Sequence, residues 1–208
     1  LQELSQEAID IELQEASWGP QTWTTLEAQL PDIYGTIPQE LIRIGKVKAK
    51  GTAHLSKGSN KIDLQANTDA GNLIANVSID NKGTYAANIK GAAINVEKIL
   101  PTSPLTSTNI TLQAKGRYDA NATDTPLPLR GTIYGEATMA NLLGYEYQSI
   151  RLEGEYSPEK AEADINIYDP NARIVLEAKY QQGERMPRYD IDLKADSVDL
   201  HALKLIDI

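Results

Sequence analysis

The chain has no cysteine and no phenylalanine among its 208 residues, and only two tryptophans, two histidines and two methionines. Without cysteine there are no disulfides, thiol nucleophiles or zinc-thiolate centres, although the absence says little about compartment. Without phenylalanine a large compact core loses the side chain it most leans on for buried area. No stretch approaches the roughly 18 to 20 consecutive apolar residues of a membrane helix. The opening residues, LQELSQEAID, have neither the basic n-region nor the apolar h-region of a signal peptide. The chain as given is therefore expected to be soluble. Basic residues are also in deficit, 20 against 29 acidic ones, and the net charge of -9 repels nucleic acid and anionic membrane surfaces.

What is present is a repeated phrase. GTYAANIKGAAINVEKIL (83–100) returns as PRYDIDLKADSVDLHALKL (187–205), so that at an offset of 104 Tyr85 falls on Tyr189, Lys90 on Lys194 and Ile89 on Leu193. Upstream, Leu73, Ala75, Val77 and Ile79 meet Ile174, Leu176, Ala178 and Tyr180 at an offset of 101, and Gly51 meets Gly154 at 103. The length differences fall in turns, as they do in diverged repeats of stacked strands. Two units are expected, 1–100 and 101–208, forming one continuous structure.

Most of the chain alternates apolar and polar residues with period two, the mark of strands with one apolar face. The alternation predicts about a dozen strands, including Ile9 to Leu13, Trp23 to Leu30, Val47 to Leu55, Tyr85 to Gly91, Ile110 to Tyr118 and Tyr189 to Ala195. Short turn words between them, such as TDAGN, DNKG and DPN, imply antiparallel neighbours. Brief helices are expected at IPQELIRI (37–44), at NVEKIL with Asn95 as N-cap and Pro101 as stop, and at SVDLHALKL near the end; DANATDTPLPLRG is expected as a loop.

The fold expected is all-β. The apolar set comprises Val47, Ala49 and Ala53; Ile62 and Leu64; Leu73, Ala75, Val77 and Ile79; Ala87 and Ile89; Ile110, Leu112 and Ala114; Ile133 and Ala137. In the second half it continues with Ile150 and Leu152; Ala163, Ile165 and Ile167; Ile174, Leu176 and Ala178; Ile191 and Leu193. A β-sandwich would need large side chains interdigitating between sheets about 10 Å apart. The small residues dotted through this set leave space instead. On composition a closed core and a dry groove lined by alanine and glycine among Ile, Leu and Val both stay open; in the groove each buried CH₂ of an acyl chain gains about 0.8 kcal/mol.

Chemistry is sparse. His54 and His201 are far apart in sequence, and neither has a partner in view for general base work. The pairs Glu162 with Asp164 and Asp190 with Asp192 could in principle grip a cation, but with acids this abundant they read as a solvated strand face. No phosphate loop or nucleophile elbow is present. The residues point to no enzyme and to no metal or cofactor.

The ordered words IPQELIRIGKVKAKGTAHL, IDLQANTDAGNLIANVSI, YAANIKGAAINVEKIL, GYEYQSIRLEGEY, ADINIYDPNARIVLEAKY and YDIDLKADSVDLHALKL span nearly all of residues 37–205. In that order they resemble the AsmA-like superfamily of bacterial envelope proteins, most closely its TamB (translocation and assembly module) family in Bacteroidetes-type form. The resemblance implies an elongated, curved antiparallel sheet, a β-taco, whose apolar concave face is a groove for phospholipid acyl chains. It further implies a periplasmic segment of a longer protein anchored in the inner membrane, serving lipid transport and outer-membrane assembly beside an Omp85-type barrel protein. An alternative is a scaffold that binds envelope proteins by strand addition, without lipid conduction. Free sheet edges would also allow self-association.

Overall fold

The structure, a computed structural model, describes residues 8–29, 39–118, 128–183 and 186–206. Twelve strands form one antiparallel sheet: β1 (Ile9–Trp18), β2 (Val47–Leu55), β3 (Ser59–Thr68), β4 (Gly71–Asp80), β5 (Thr84–Asn95), β6 (Leu105–Tyr118), β7 (Leu129–Leu142), β8 (Tyr145–Tyr147), β9 (Ile150–Tyr156), β10 (Lys160–Asp169), β11 (Ala172–Gln181) and β12 (Arg188–Val198). Neighbours in the sheet follow chain order from β1 to β12, except that β8 folds back on β7 and lies off the path, leaving β7 paired with β9. The sheet does not close on itself, so β1 and β12 are its two edges. An open antiparallel sheet is what the alternation and short turns demand.

Among the described residues three helices accompany it: α1 (Pro20–Gln29), α2 (Gln39–Arg43) and α3 (Val96–Ile99). Helix α3 begins as expected, with the Asn95 side chain accepting a hydrogen bond from the Lys98 N–H at 2.8 Å. Helix α1 corrects the expectation of a strand at Trp23 to Leu30. Its tryptophan and threonines favour strands, but Pro20 at the first helical position has φ already set for a helix. Thr22 then closes the first turn with its N–H on the Gly19 carbonyl at 2.9 Å, and Thr25 donates its hydroxyl to the Gln21 carbonyl at 3.0 Å. Leu30, residues 37–38 of the helix expected at IPQELIRI and 119–127 of the expected loop lie outside the described residues.

The helix expected at SVDLHALKL is also corrected. β12 runs on to Val198, and a single turn follows in which the Leu203 N–H reaches the Asp199 carbonyl at 3.0 Å. Asp199 caps that turn by accepting from the Ala202 N–H at 2.9 Å, as Asn95 caps α3. The two positions also share a tie to the neighbouring hairpin: the Asn95 N–H donates to the Ala70 carbonyl at 2.8 Å, and the Asp199 N–H to the Asn171 carbonyl at 2.9 Å.

α2, α3, β8 and the last turn gather at one end of the strands. Two small packed clusters sit there, Val47, Ala49 and Ala66 against Trp18, Ile44, Leu64 and Leu73, and Tyr147, Ala172 and Leu203 against Leu142, Tyr145, Ile150 and Val198. The opposite end carries turns, such as that in which Asp80 accepts from the Lys82 and Thr84 N–H groups at 2.9 and 2.8 Å.

Candidate functional site: an uncovered apolar sheet face

In a sheet, residues directly opposite each other across every strand pair share one face. One row runs Leu13, Gly51, Leu64, Ala75, Ile89, Leu112, Gly135, Leu152, Ile165, Leu176 and Leu193, crossing all eleven strands of the path. A second runs Ile11, Ala53, Ile62, Val77, Ala87, Ala114, Ile133, Gly154, Ala163, Ala178 and Ile191. A third runs Ala16, Ala49, Ala66, Leu73, Gly91, Ile110, Ala137, Ile150, Ile167, Ile174 and Ala195. Together with Val47, opposite Trp18, and Ile79, opposite Tyr85, these rows bring the whole apolar set to one side of the sheet.

The set is not uniform along the strands. Val47 and Ala49 are buried in the first end cluster with Leu64 and Leu73 against them; Ala137 is buried, and Ile150, Ile167 and Ile174 pack in the second cluster. Towards the other end the face opens, and Ile62, Val77, Ile191 and Leu193 are exposed. Among the described residues no second sheet or long helix covers this open part.

A fourth row closes the open end: Ile9, Leu55, Asn60, Ile79, Tyr85, Gly116, Gly131, Tyr156, Ala161, Tyr180 and Tyr189. Four of its members are tyrosines, apolar in body and polar at the tip. Tyr85 and Tyr156 meet hydroxyl to hydroxyl, and Tyr85 also donates to the Arg130 carbonyl at 3.4 Å. Burial and the Tyr156 hydroxyl push the Tyr85 phenol pKa well above its ordinary value. The rings of Tyr180 and Tyr189 pack at 5.5 Å. Alternation alone does not find this rim, but the Tyr85 and Tyr189 match in the repeat is its trace in the sequence.

The other face is charged. His54 lies opposite Asp10, with Nδ1 2.6 Å from its carboxylate, and His201 is exposed in the last turn. Glu162 and Asp164 face Glu155 and Glu153 across β9, and Lys179 and Glu177 across β11. Asp192 lies 3.2 Å from Lys194, which also reaches Glu177 at 3.6 Å; these carboxylates hold the Lys194 pKa above its ordinary value. A recess of about 650 Å³ lies against this face, lined by Asn88, Gln113, Lys115, Glu153, Glu155, Glu162 and Asp164 among others. No group of three or more His, Asp or Glu side chains among the described residues is arranged to hold a metal ion. No helix of the described residues is long and apolar enough to cross a membrane.

Searches against protein-family models, curated proteins and solved structures find no match to this chain.

Proposed function

We propose that the open apolar face carries the acyl chains of phospholipid or a similar lipid, with headgroups in water beyond the tyrosine rim. The observation that carries this reading is the run of apolar rows across eleven strands with no layer of the described residues packed on its open part. A monomeric protein seldom leaves so much contiguous apolar surface bare without a use for it. Small residues alternate along the rows with Ile, Leu and Val, and an acyl chain lying against them gains about 0.8 kcal/mol per CH₂ removed from water. The role is one of binding and passage, not catalysis, and no cofactor enters it.

The resemblance to AsmA-like proteins supports the same reading. In that setting the chain is a segment of a TamB-type protein in the periplasm, anchored elsewhere in the inner membrane and working towards an Omp85-type partner. The second reading, a scaffold acting by strand addition, rests on β1 and β12, the outer strands of the sheet among the described residues. Native mass spectrometry of bacterially made protein, before and after organic extraction, separates the two. Copurified or exchangeable lipid is expected, and its absence under mild conditions favours the scaffold.

A further inference from the structure

We infer that the charged face carries, at its turn end, a site for a phosphoethanolamine group: an arginine pair for the phosphate and a glutamate pair for the ammonium. Arg117 of β6 lies directly opposite Arg130 of β7. Nowhere else in the strand pairing of the described residues do two arginines or lysines oppose each other. Like charges so placed repel, and neither guanidinium makes an ion pair with a described residue. Their chain neighbours Gly116 and Gly131 belong to the fourth row, so the arginines lie on the opposite, charged side of the sheet. The site therefore does not rest on the lipid reading of the apolar face.

Two residues along the strands the sign reverses. Glu155 of β9 lies opposite Glu162 of β10 on one side and opposite Thr132 of β7 on the other. Glu162 is 3.6 Å from Lys160, whereas Glu155 makes no ion pair with a described residue. Both like-charge pairs line one recess of about 430 Å³, together with Ser157 and Lys160. A bare anion drawn by the arginines is repelled by the glutamates beside them, in a chain of net charge -9. A ligand with a cation next to its anion relieves both repulsions at once. Arg130 and Glu155 are diagonal neighbours across β7 and β9, about 7 to 8 Å apart near the backbone. An α-amino acid, with its charges one carbon apart, is too short to serve both pairs, and a single guanidinium fork fills its carboxylate. A phosphate accepts a fork from each side, and the two carbons of ethanolamine carry the ammonium across to Glu155.

Calorimetric titration of the full chain with phosphoethanolamine, inorganic phosphate and ethanolamine tests this. Phosphoethanolamine should bind about threefold to fivefold more tightly than inorganic phosphate, and ethanolamine alone more weakly than either. Arg130→Gln should weaken phosphoethanolamine roughly tenfold. Glu155→Gln should bring phosphoethanolamine and phosphate to equal affinity. Each substitution removes a like-charge contact, so neither should lower the thermal midpoint of the free protein. Vesicles of phosphatidylethanolamine in phosphatidylcholine separate the two sources of the group. Co-sedimentation that Arg130→Gln abolishes assigns it to a lipid headgroup, and binding of the soluble ester alone assigns it to a free phosphoethanolamine ester. No preference over inorganic phosphate, or a preference that survives Glu155→Gln, would overturn the proposal. So would an Arg130→Gln protein that melts at lower temperature, since its guanidinium would then already be paired within the chain.

Discussion

Tyr85 and Tyr156, 71 residues apart in the chain, hydrogen-bond through their hydroxyls across two intervening strands. Strands lie about 4.8 Å apart, so β5 and β9 are separated by about 14 Å at this level, and the phenols bridge them by lying down over Gly116 and Gly131. A Cβ on Gly116 would come within 2.7 Å of the Tyr85 hydroxyl and 2.0 Å of the Arg130 carbonyl oxygen. Either Tyr85→Phe or Tyr156→Phe should cost about 1 kcal/mol in urea unfolding, since each leaves a hydroxyl without its partner. The double substitution should cost less than the sum, because both groups leave together. Gly116→Val should be worse than either, having no room without displacing the tyrosine and the neighbouring strand.

Ile165 tests the apolar face directly. It is half-buried in the first row, between Leu152 and Leu176. With no layer of the described residues packed over it, an arginine there can lie along the face and reach water, so Ile165→Arg should fold and lose about 1 kcal/mol, a cost set by exposure at this site. Binding of a fluorescent acyl probe should fall about tenfold as the guanidinium interrupts the row. Asp164→Arg, on the opposite face between Glu153 and Glu177, should leave probe binding unchanged and raise stability slightly by relieving like charges. An Ile165→Arg protein that binds the probe as well as the parent chain would remove this position from the lipid surface.

Acid should loosen the hairpins through Asp69 and Asp80. The Lys46 N–H, 3.0 Å from Asp69 Oδ2, and the Thr84 N–H, 2.8 Å from Asp80 Oδ1, hold these carboxyls below their ordinary pKa. Both pKa values are lower folded than unfolded, so their contribution is full above the unfolded value of about 3.9 and is lost as pH falls through the folded value. Thermal melts between pH 6 and 2 should show this limb, and Asp69→Asn with Asp80→Asn should flatten it.

Gly45 is expected to resist substitution. Its φ is +81°, and a Cβ there would sit 2.5 Å from Asp69 Oδ2. Gly45→Ala should cost about 1 to 3 kcal/mol, read as a shift in the unfolding midpoint, and Asp69→Ala should recover part of it by making space.

Alternation read the strands best where they are regular, as at Val47–Leu55, and stopped short where bulges intervene. Tyr85 to Gly91 extends to Asn95 because an extra residue between Gly91 and Ile94, with Ala93 at φ +52°, breaks the alternation while returning Ile94 to the apolar side. The early part of β6 was illegible for the same reason, its pairing with β7 shifting between Leu105 and Ser107 and again between Asn109 and Ile110. Which residues share a face was legible, since a period of two fixes it. Which part of that face is packed was not. Tyr147 and Leu203 meet only because β8 folds back on β7 and the last turn closes over Ala172, and a three-residue strand has too little length to show a period.

A sheet whose neighbours follow chain order has a history built into it. Each strand that leaves a narrow channel finds its partner already in place, so the array can zip from β1 onward without waiting for its far end. The hydroxyl bond between Tyr85 and Tyr156 cannot form until β9 has arrived, which makes it a late latch over a sheet that has already grown past it.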